Sequence, residues 1–288
     1  MTIAVRKSAT FLDYISVLKP AETSLLTLIG VFSAIVAAAG YPPVKIFLLI
    51  ILALLSGSAG SNGLTNYLDR NVDARMARTC RRALPSERIY PAQKALPLII
   101  SLIVVGLALA WVLNPLCFAV GLIGVVASSV WRKTISCTFL GIIAGCSPVL
   151  IGWLAISPAF DIRLVLLCVL VAFWTPIHVW TLMLANHEDY FKAGLNYFPL
   201  SWPVRNVVKL LLVLSVLLYM VSVIIYLFGG FHLLYLIMAS LLGALMIYAN
   251  VRLLFSMSST AAWRVYKLSA FPYLGIIFLT MALDVWLI

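Results

Sequence analysis

Apolar residues run through this chain in long blocks, and the breaks between blocks are short and polar. Nine blocks can be traced, at approximately 22–40, 45–68, 95–113, 115–131, 137–156, 162–186, 206–228, 231–254 and 265–287. Each has roughly 17–25 residues, the length a helix rising about 1.5 Å per residue needs to cross a hydrocarbon layer of about 30 Å. Asn114-Pro115 divides the third block from the fourth, and Gly229-Gly230 the seventh from the eighth, both strong turn signals. The pattern predicts an all-α polytopic membrane protein, a bundle of nine transmembrane helices forming one unit over 1–288. Two joins are long, 69–94 and 187–205, and nine crossings put both on the same side. The second and sixth blocks each end in a polar cluster before a long loop, a faint repeat without sequence identity to support it.

Composition agrees. Apolar residues make up 64% of the 288 positions and charged residues 10%, with a mean hydropathy of +1.11, which no soluble domain requires. The net charge of +11 would suggest nucleic acid in a soluble protein. Here basic loops on one membrane face account for it: with the N-terminus inside, 18 of the 20 Lys and Arg residues lie inside, leaving Lys45 and Arg163 outside. That predicts a cytoplasmic N-terminus and two cytoplasmic long loops. The N-terminal stretch to Pro20 lacks the apolar core of a cleavable signal peptide. Cys80, Cys117, Cys137, Cys146 and Cys168 form no C-x-x-C pair, so free thiols are expected.

The chemistry concentrates in Ser58–Lys94. Asn62, Asn66, Asp69 and Asp73 are spaced i, i+4, i+7, i+11 and fall on one stripe of a helix. Two carboxylates one turn apart repel unless a cation lies between them. Mg²⁺ takes carboxylate oxygens and keeps sites for substrate phosphates, and the following arginines, Arg78 and Arg82 among them, offer guanidinium forks to phosphate oxygens. The bland alternative, a solvated charged helix end at the membrane surface, does not explain so regular a spacing. The second long loop brings Asn186, His187, Glu188, Asp189 and Lys192 to the same face. Glu188 and Asp189 could join Asn62, Asn66, Asp69 and Asp73 in holding metal against one diphosphate, with Lys192, Arg132 and Lys133 on its oxygens. An ordinary charged loop is the competing reading.

His178 lies inside the sixth block between Trp174 and Trp180. An ionisable residue at membrane depth is usually functional, although a histidine bonded to a carbonyl freed by Pro176 would look the same. Gly141-x-x-x-Gly145 reads as a close-packing signature, followed by a bend at Pro148. Asp284 and His232 read as interfacial residues near the outer face.

Taken together these residues resemble the UbiA superfamily of intramembrane prenyltransferases, and within it the branch that farnesylates haem. Asp69 and Asp73 match the acids of its N-x-x-x-D-x-x-x-D motif; Thr65 stands at the usual asparagine position and Asn66 follows. Arg78, Thr79, Arg82, Leu84, Pro85, Ser86, Arg88, Ile89 and Pro91 match its R-T-x-x-R-P-L-P-S-G-R-I-x-P element, with Ala83 and Glu87 as departures. Asp13-Tyr14, Lys19-Pro20, Ser147–Trp153, Trp174–His178, Asp189-Tyr190 and Ala193-Gly194 resemble stretches of the haem branch. Cys137, Ile177 and Asn196-Tyr197-Phe198 depart from it.

The resemblance implies Mg²⁺-dependent transfer of a farnesyl group from farnesyl diphosphate to a vinyl group of haem B, giving haem O and diphosphate. It implies catalytic roles for Asp69, Asp73, Asn66 and Asp189. It also implies a haem contact at His178, as iron ligand or propionate partner, and a prokaryotic cell membrane as location. A haem A synthase or terminal oxidase assembly would stand downstream. Two other readings compete: a UbiA-type enzyme acting on an aromatic acid or glycerol-phosphate lipid, and a transporter. A transporter would place its polar residues near the bilayer midplane rather than at one face.

Overall fold

The computed structural model describes residues 9–130, 132–134, 136–159 and 161–287; Arg6 and Lys7 of the basic count lie outside them. The chain forms a short helix α1 (Phe11–Val17), then α2 (Pro20–Ala37), α3 (Val44–Asp73), α4 (Leu96–Leu113), α5 (Pro115–Ser129), α6 (Ser136–Leu154) and α7 (Ile162–Ala185). After these come α8 (His187–Lys192), α9 (Val204–Gly229), α10 (Leu233–Ser256), α11 (Ser259–Leu268) and α12 (Ile276–Leu287), the last two joined by a wide helical turn over Ser269–Gly275. Among the described residues eight spans are long and apolar enough to cross a membrane, α11–α12 counting as one. The predicted fourth crossing is α5, which has 15 residues and so extends only about 22 Å.

Each apolar helix packs on the next, α2 on α3 and so on to α7, then α9 and α10, and α12 closes the ring against α2. Large side chains on the outside of the ring, such as Val104, Phe139, Leu227 and Ile237, are exposed, as lipid-facing positions require. Helices α2 and α6 meet across the middle. There the built Cβ of Gly152 would fall 1.9 Å from the Gly30 carbonyl oxygen, and the Ser33 hydroxyl donates to Val149 O at 2.9 Å. The close crossing of α6 is thus at Gly152 and not at the predicted pair. A Cβ on Gly141 or Gly145 would meet only side-chain atoms 3.3 Å or more away, and both residues line a cavity.

The long loops are shorter and more ordered than hydropathy suggests. Helix α3 continues five residues past its apolar run, because Asn66, Asp69 and Asp73 turn inward and are buried while the opposite face stays exposed. The segment after it folds over a small apolar core of Val17, Ala83, Leu84, Ile89, Ala95 and Ile99. Arg88 ties it to Asp13 at 2.8 Å. Thr10 holds the Asp13 carboxyl below its ordinary pKa through hydrogen bonds from its backbone N–H and hydroxyl.

At the opposite end of the bundle, Asp284 corrects the interfacial reading. It is wholly buried and accepts from the backbone N–H groups of His232 (2.6 Å) and Tyr235 (3.1 Å) and from His232 Nδ1 (3.2 Å). These include orphan donors at the start of α10, which a carboxylate satisfies well. Asp284→Ala would leave buried donors unpaired and is expected to cost about 2–3 kcal/mol. A thermal melt in detergent checks this, and an unchanged midpoint would refute the capping role.

Candidate active site

The last two turns of α3 carry Asp69 and Asp73, 5% and 2% exposed. Three cations pair with them. Arg82 Nη1 donates to Asp73 Oδ2 at 2.9 Å and to Asn66 Oδ1 at 3.3 Å. Arg132, from the α5–α6 turn, binds Asp69 through Nη2 and through Nε at 3.3 Å. Lys133 Nζ stands 3.7 Å from Asp69 and 3.9 Å from Asp73, over the Tyr190 ring. Arg78, on the same loop as Arg82, brings a third guanidinium to this end of the bundle, its Nε buried. Burial pulls the Arg132 pKa down, but the hydrogen bonds and charge of Asp69 outweigh it and hold it above its ordinary value. Three cations on two carboxylates, with Arg78 on the adjoining loop, leave a net positive pocket suited to a polyanion.

Two atoms in this cluster are buried without a hydrogen-bond partner: Asp73 Oδ1 and Arg78 Nε. Orphaned buried polar atoms are costly in a finished structure. One is an acceptor free for a cation and the other a donor free for an anion, so the residues present fit a hard metal ion carrying an anionic ligand. Among the described residues no three His, Cys, Asp or Glu side chains form a closed metal cage. Mg²⁺ ordinarily uses one or two carboxylates and completes its shell with phosphate and water.

The second loop divides its residues. Asp189 reaches the cluster by accepting from the backbone N–H groups of Ala77 (3.0 Å) and Arg78 (2.9 Å), which clasps the two loops together. Glu188 and Lys192 point outward, pairing with each other at 3.8 Å in largely exposed positions. His187 and Glu188 line a separate cleft of about 500 Å³ beside Met257 and Ser258. Asn62 donates to the Thr23 hydroxyl at 3.0 Å, and Asn66 donates to Val17 O at 2.7 Å. Of the predicted set, the structure gathers Asn66, Asp69, Asp73, Arg78, Arg82, Arg132, Lys133 and Asp189, and leaves Glu188 and Lys192 on the periphery.

Below the cluster an elongated, mostly apolar cavity of about 320 Å³ runs into the bundle, with Lys19, Asn62, Thr65 and Arg132 at its mouth. Lys19, to which the motif reading assigned no role, donates to Thr65 Oγ1 at 3.0 Å. Burial pushes its ammonium down to about 8, helped by Arg132 and Arg82. The signal for it was present: a lysine directly before the proline that starts a membrane helix.

His178 occupies a different place, between α7 and α11. Its ring stacks on Trp174 (4.8 Å between centroids) and faces Tyr266 (4.7 Å). Nδ1 lies 3.0 Å from the Ser269 hydroxyl, which itself donates to Tyr266 O at 2.9 Å. Since that hydroxyl has one proton and spends it on the carbonyl, Nδ1 is the donor and Nε2 keeps its lone pair.

A carboxylate pair under arginines, one of which lines an apolar membrane cavity, has the chemistry a diphosphate on an apolar chain would need. The chain belongs to the UbiA prenyltransferase family, whose model matches residues 24–275. It is 35% identical over 281 residues to a protohaem IX farnesyltransferase from Desulforudis audaxviator, covering 95% of this chain and 88% of that protein. A second relative of that name, from Symbiobacterium thermophilum, is 34% identical, with 95% and 94% covered. A third, from Thermus thermophilus, is 32% identical over 96% of this chain, which spans only 46% of that longer protein. The fold matches a solved digeranylgeranylglyceryl phosphate synthase at a TM-score of 0.77 and 19% identity, covering 96% of this chain and 99% of that one. It also matches a UbiA homologue from Archaeoglobus fulgidus bound to GPP and Mg²⁺, at a TM-score of 0.67 and 16% identity, covering 96% and 100%. The chain is therefore an intramembrane prenyltransferase.

Proposed function

We propose that this enzyme transfers the farnesyl group of farnesyl diphosphate to a vinyl group of haem B, releasing diphosphate and giving haem O. The carrying observation is the buried Asp69–Asp73 pair, with its orphaned Asp73 oxygen and Arg78 nitrogen, joined through Asp69 to Arg132, which lines an apolar cavity. The names of the relatives, over nearly the whole chain, support the haem acceptor.

In this reading Asp69 and Asp73, with Asn66 beside them, would hold Mg²⁺, which would offset negative charge on the leaving diphosphate. Arg78, Arg82, Arg132 and Lys133 turn from the carboxylates to the phosphate oxygens when the donor arrives. Asp189 keeps the loop bearing Arg78 in place through the Ala77 and Arg78 amides. The cavity excludes water from the allylic cation left when the C–O bond breaks, and low polarity strengthens the electrostatic terms at its mouth. The terminal vinyl carbon forms the new C–C bond, and water adds to the resulting cation and loses a proton, which completes the hydroxyethylfarnesyl group. The asymmetry of Lys and Arg supports a cytoplasmic position for the basic end of the bundle, with both motif loops, and the organisms of the relatives support a prokaryotic cell membrane.

His178 Nε2 is the proposed contact to the haem iron. His178→Phe keeps the ring between Trp174 and Tyr266 and removes both nitrogens. It is expected to raise KM for haem by about 10–100-fold, as loss of a metal contact does, and to leave donor affinity unchanged. Equal KM values in a steady-state comparison would remove His178 from the haem site.

The function is tested by incubating purified protein with haem B, farnesyl diphosphate and Mg²⁺ and looking for haem O by mass spectrometry. A peak that disappears with EDTA is expected. Diphosphate release that requires an aromatic acid or a lipid acceptor would keep the metal site and discard haem.

A further inference from the structure

The main cavity has a stop as well as a mouth. Along α3 it is lined from Thr65 at the charged end to Ala53, twelve residues or about 18 Å of helix. At the far end Leu107, Ala110, Gly121 and Ile151 line it. A Cβ built on Gly121 would stand 3.2 Å from Leu107 Cδ2 and 3.6 Å from Ile151 Cδ1, so two apolar side chains close over a bare stretch of α5 backbone. One turn further out Cys117 is wholly buried, its thiol 3.6 Å from Ile151 O, and Ala110 is 2% exposed.

The depth discriminates between prenyl chains. At roughly 1.25 Å of advance per main-chain bond, an extended farnesyl group measures about 15 Å and a geranylgeranyl group about 20 Å. The first fits within the lined length; the second exceeds it by about 2 Å. We propose that Gly121, closed over by Leu107 and Ile151, sets the length of donor chain this enzyme accepts at fifteen carbons. The assignment rests on the reading of the cavity as the donor site, and not on the identity of the acceptor. A single glycine governs it because any side chain there would occupy the last few ångströms of the channel, while shortening Ile151 would open them.

The test uses the full-length protein with Mg²⁺ and unreactive thiolodiphosphate analogues of the ten-, fifteen- and twenty-carbon donors, with binding measured by calorimetry. Wild type is expected to bind the fifteen-carbon analogue about tenfold or more tighter than the twenty-carbon one, within the range a hydrophobic pocket can discriminate. Gly121→Val should weaken the fifteen-carbon analogue by about tenfold or more and leave the ten-carbon one as tight as in wild type. Ile151→Ala should bring the twenty-carbon analogue to within about threefold of the fifteen-carbon one. Variants that melt like wild type and keep its order of affinities would overturn the stop. If Gly121→Val does not fold, the Ile151→Ala ratio decides alone. The haem O assay run beside it separates the two readings. Shifted affinities without haem O leave the stop standing and remove haem; haem O with unshifted affinities does the reverse.

Discussion

Asp73→Asn abolishes turnover, by at least about 10²–10³-fold, while the protein stays folded in membranes. The size follows from what the carboxylate does. Asp73 is 2% exposed; Oδ2 holds Arg82 at 2.9 Å, and Oδ1 has no hydrogen-bond partner, with Lys133 Nζ 3.9 Å away. Asparagine has the same shape, so α3 and its neighbours lose no packing. It carries no charge, and its NH2 group must face either Arg82 or Lys133, donor against donor. The site then lacks one of two carboxylates for a divalent ion, and the charge developing on the leaving group is less well offset, a term typically worth about 2.7–4 kcal/mol at a single preorganised contact. Asp69→Asn is expected to behave alike, since Arg132 and Lys133 depend on it as Arg82 does on Asp73. The measurement is kcat at saturating farnesyl diphosphate and Mg²⁺, with a thermal melt to show an intact fold. Near-normal turnover in either variant would refute the metal assignment.

The Asp69–Asp73 stripe was legible in the sequence because helical periodicity survives where hydropathy stops, and α3 indeed carries the stripe five residues past its apolar run. Arg132 and Lys133 were legible as a basic turn at the same face. Their pairing with these carboxylates was not, since it depends on where the α5–α6 turn meets the end of α3. Glu188 and Asp189 show the limit more sharply. They are adjacent, equally acidic and at the right face, yet one clasps the first loop and the other faces outward with Lys192. Neighbouring residues on a helix point about 100° apart, and only the packing of α8 decides which of them turns inward. Asp284 was misread for a related reason. Hydropathy estimates a residue's depth in the membrane but says nothing of which side of its helix faces protein, and a buried carboxylate capping α10 looks the same in sequence as one at the lipid interface.

The two halves of the site come from different sources of order. Arg78 and Arg82 are held by a loop with its own small core, pinned by Arg88 to Asp13 and clasped by Asp189. The cavity below is held by the bundle itself, because α2 and α6 cross tightly and frame it from two sides. Loss of the loop contacts should impair capture of the diphosphate, and loss of the crossing should impair everything.

Gly152→Ala tests that crossing and is expected to be the most destabilising single methyl in the protein. Its Cβ would fall 1.9 Å from the Gly30 carbonyl oxygen and 2.8 Å from the carbonyl carbon. Both are backbone atoms of α2, so no rotamer change relieves the clash, and the helices must separate by more than about 1 Å to restore contact near 3 Å. Separation would also pull Ser33 from Val149 O and loosen the wall at Pro148 and Ile151. Overpacking in a closed core costs about 1–3 kcal/mol and more where the backbone must move, so a thermal midpoint lowered by at least about 5 °C is expected. Gly141→Ala, on the same helix, is the control. Its Cβ would meet only Thr175 Cγ2, at 3.7 Å, and it should melt with wild type. If the two variants melt alike, the crossing at Gly152 is not what holds α2 to α6. If only Gly152→Ala fails, and donor affinity falls with it, the glycine that lets two helices touch is also what gives the prenyl cavity its shape.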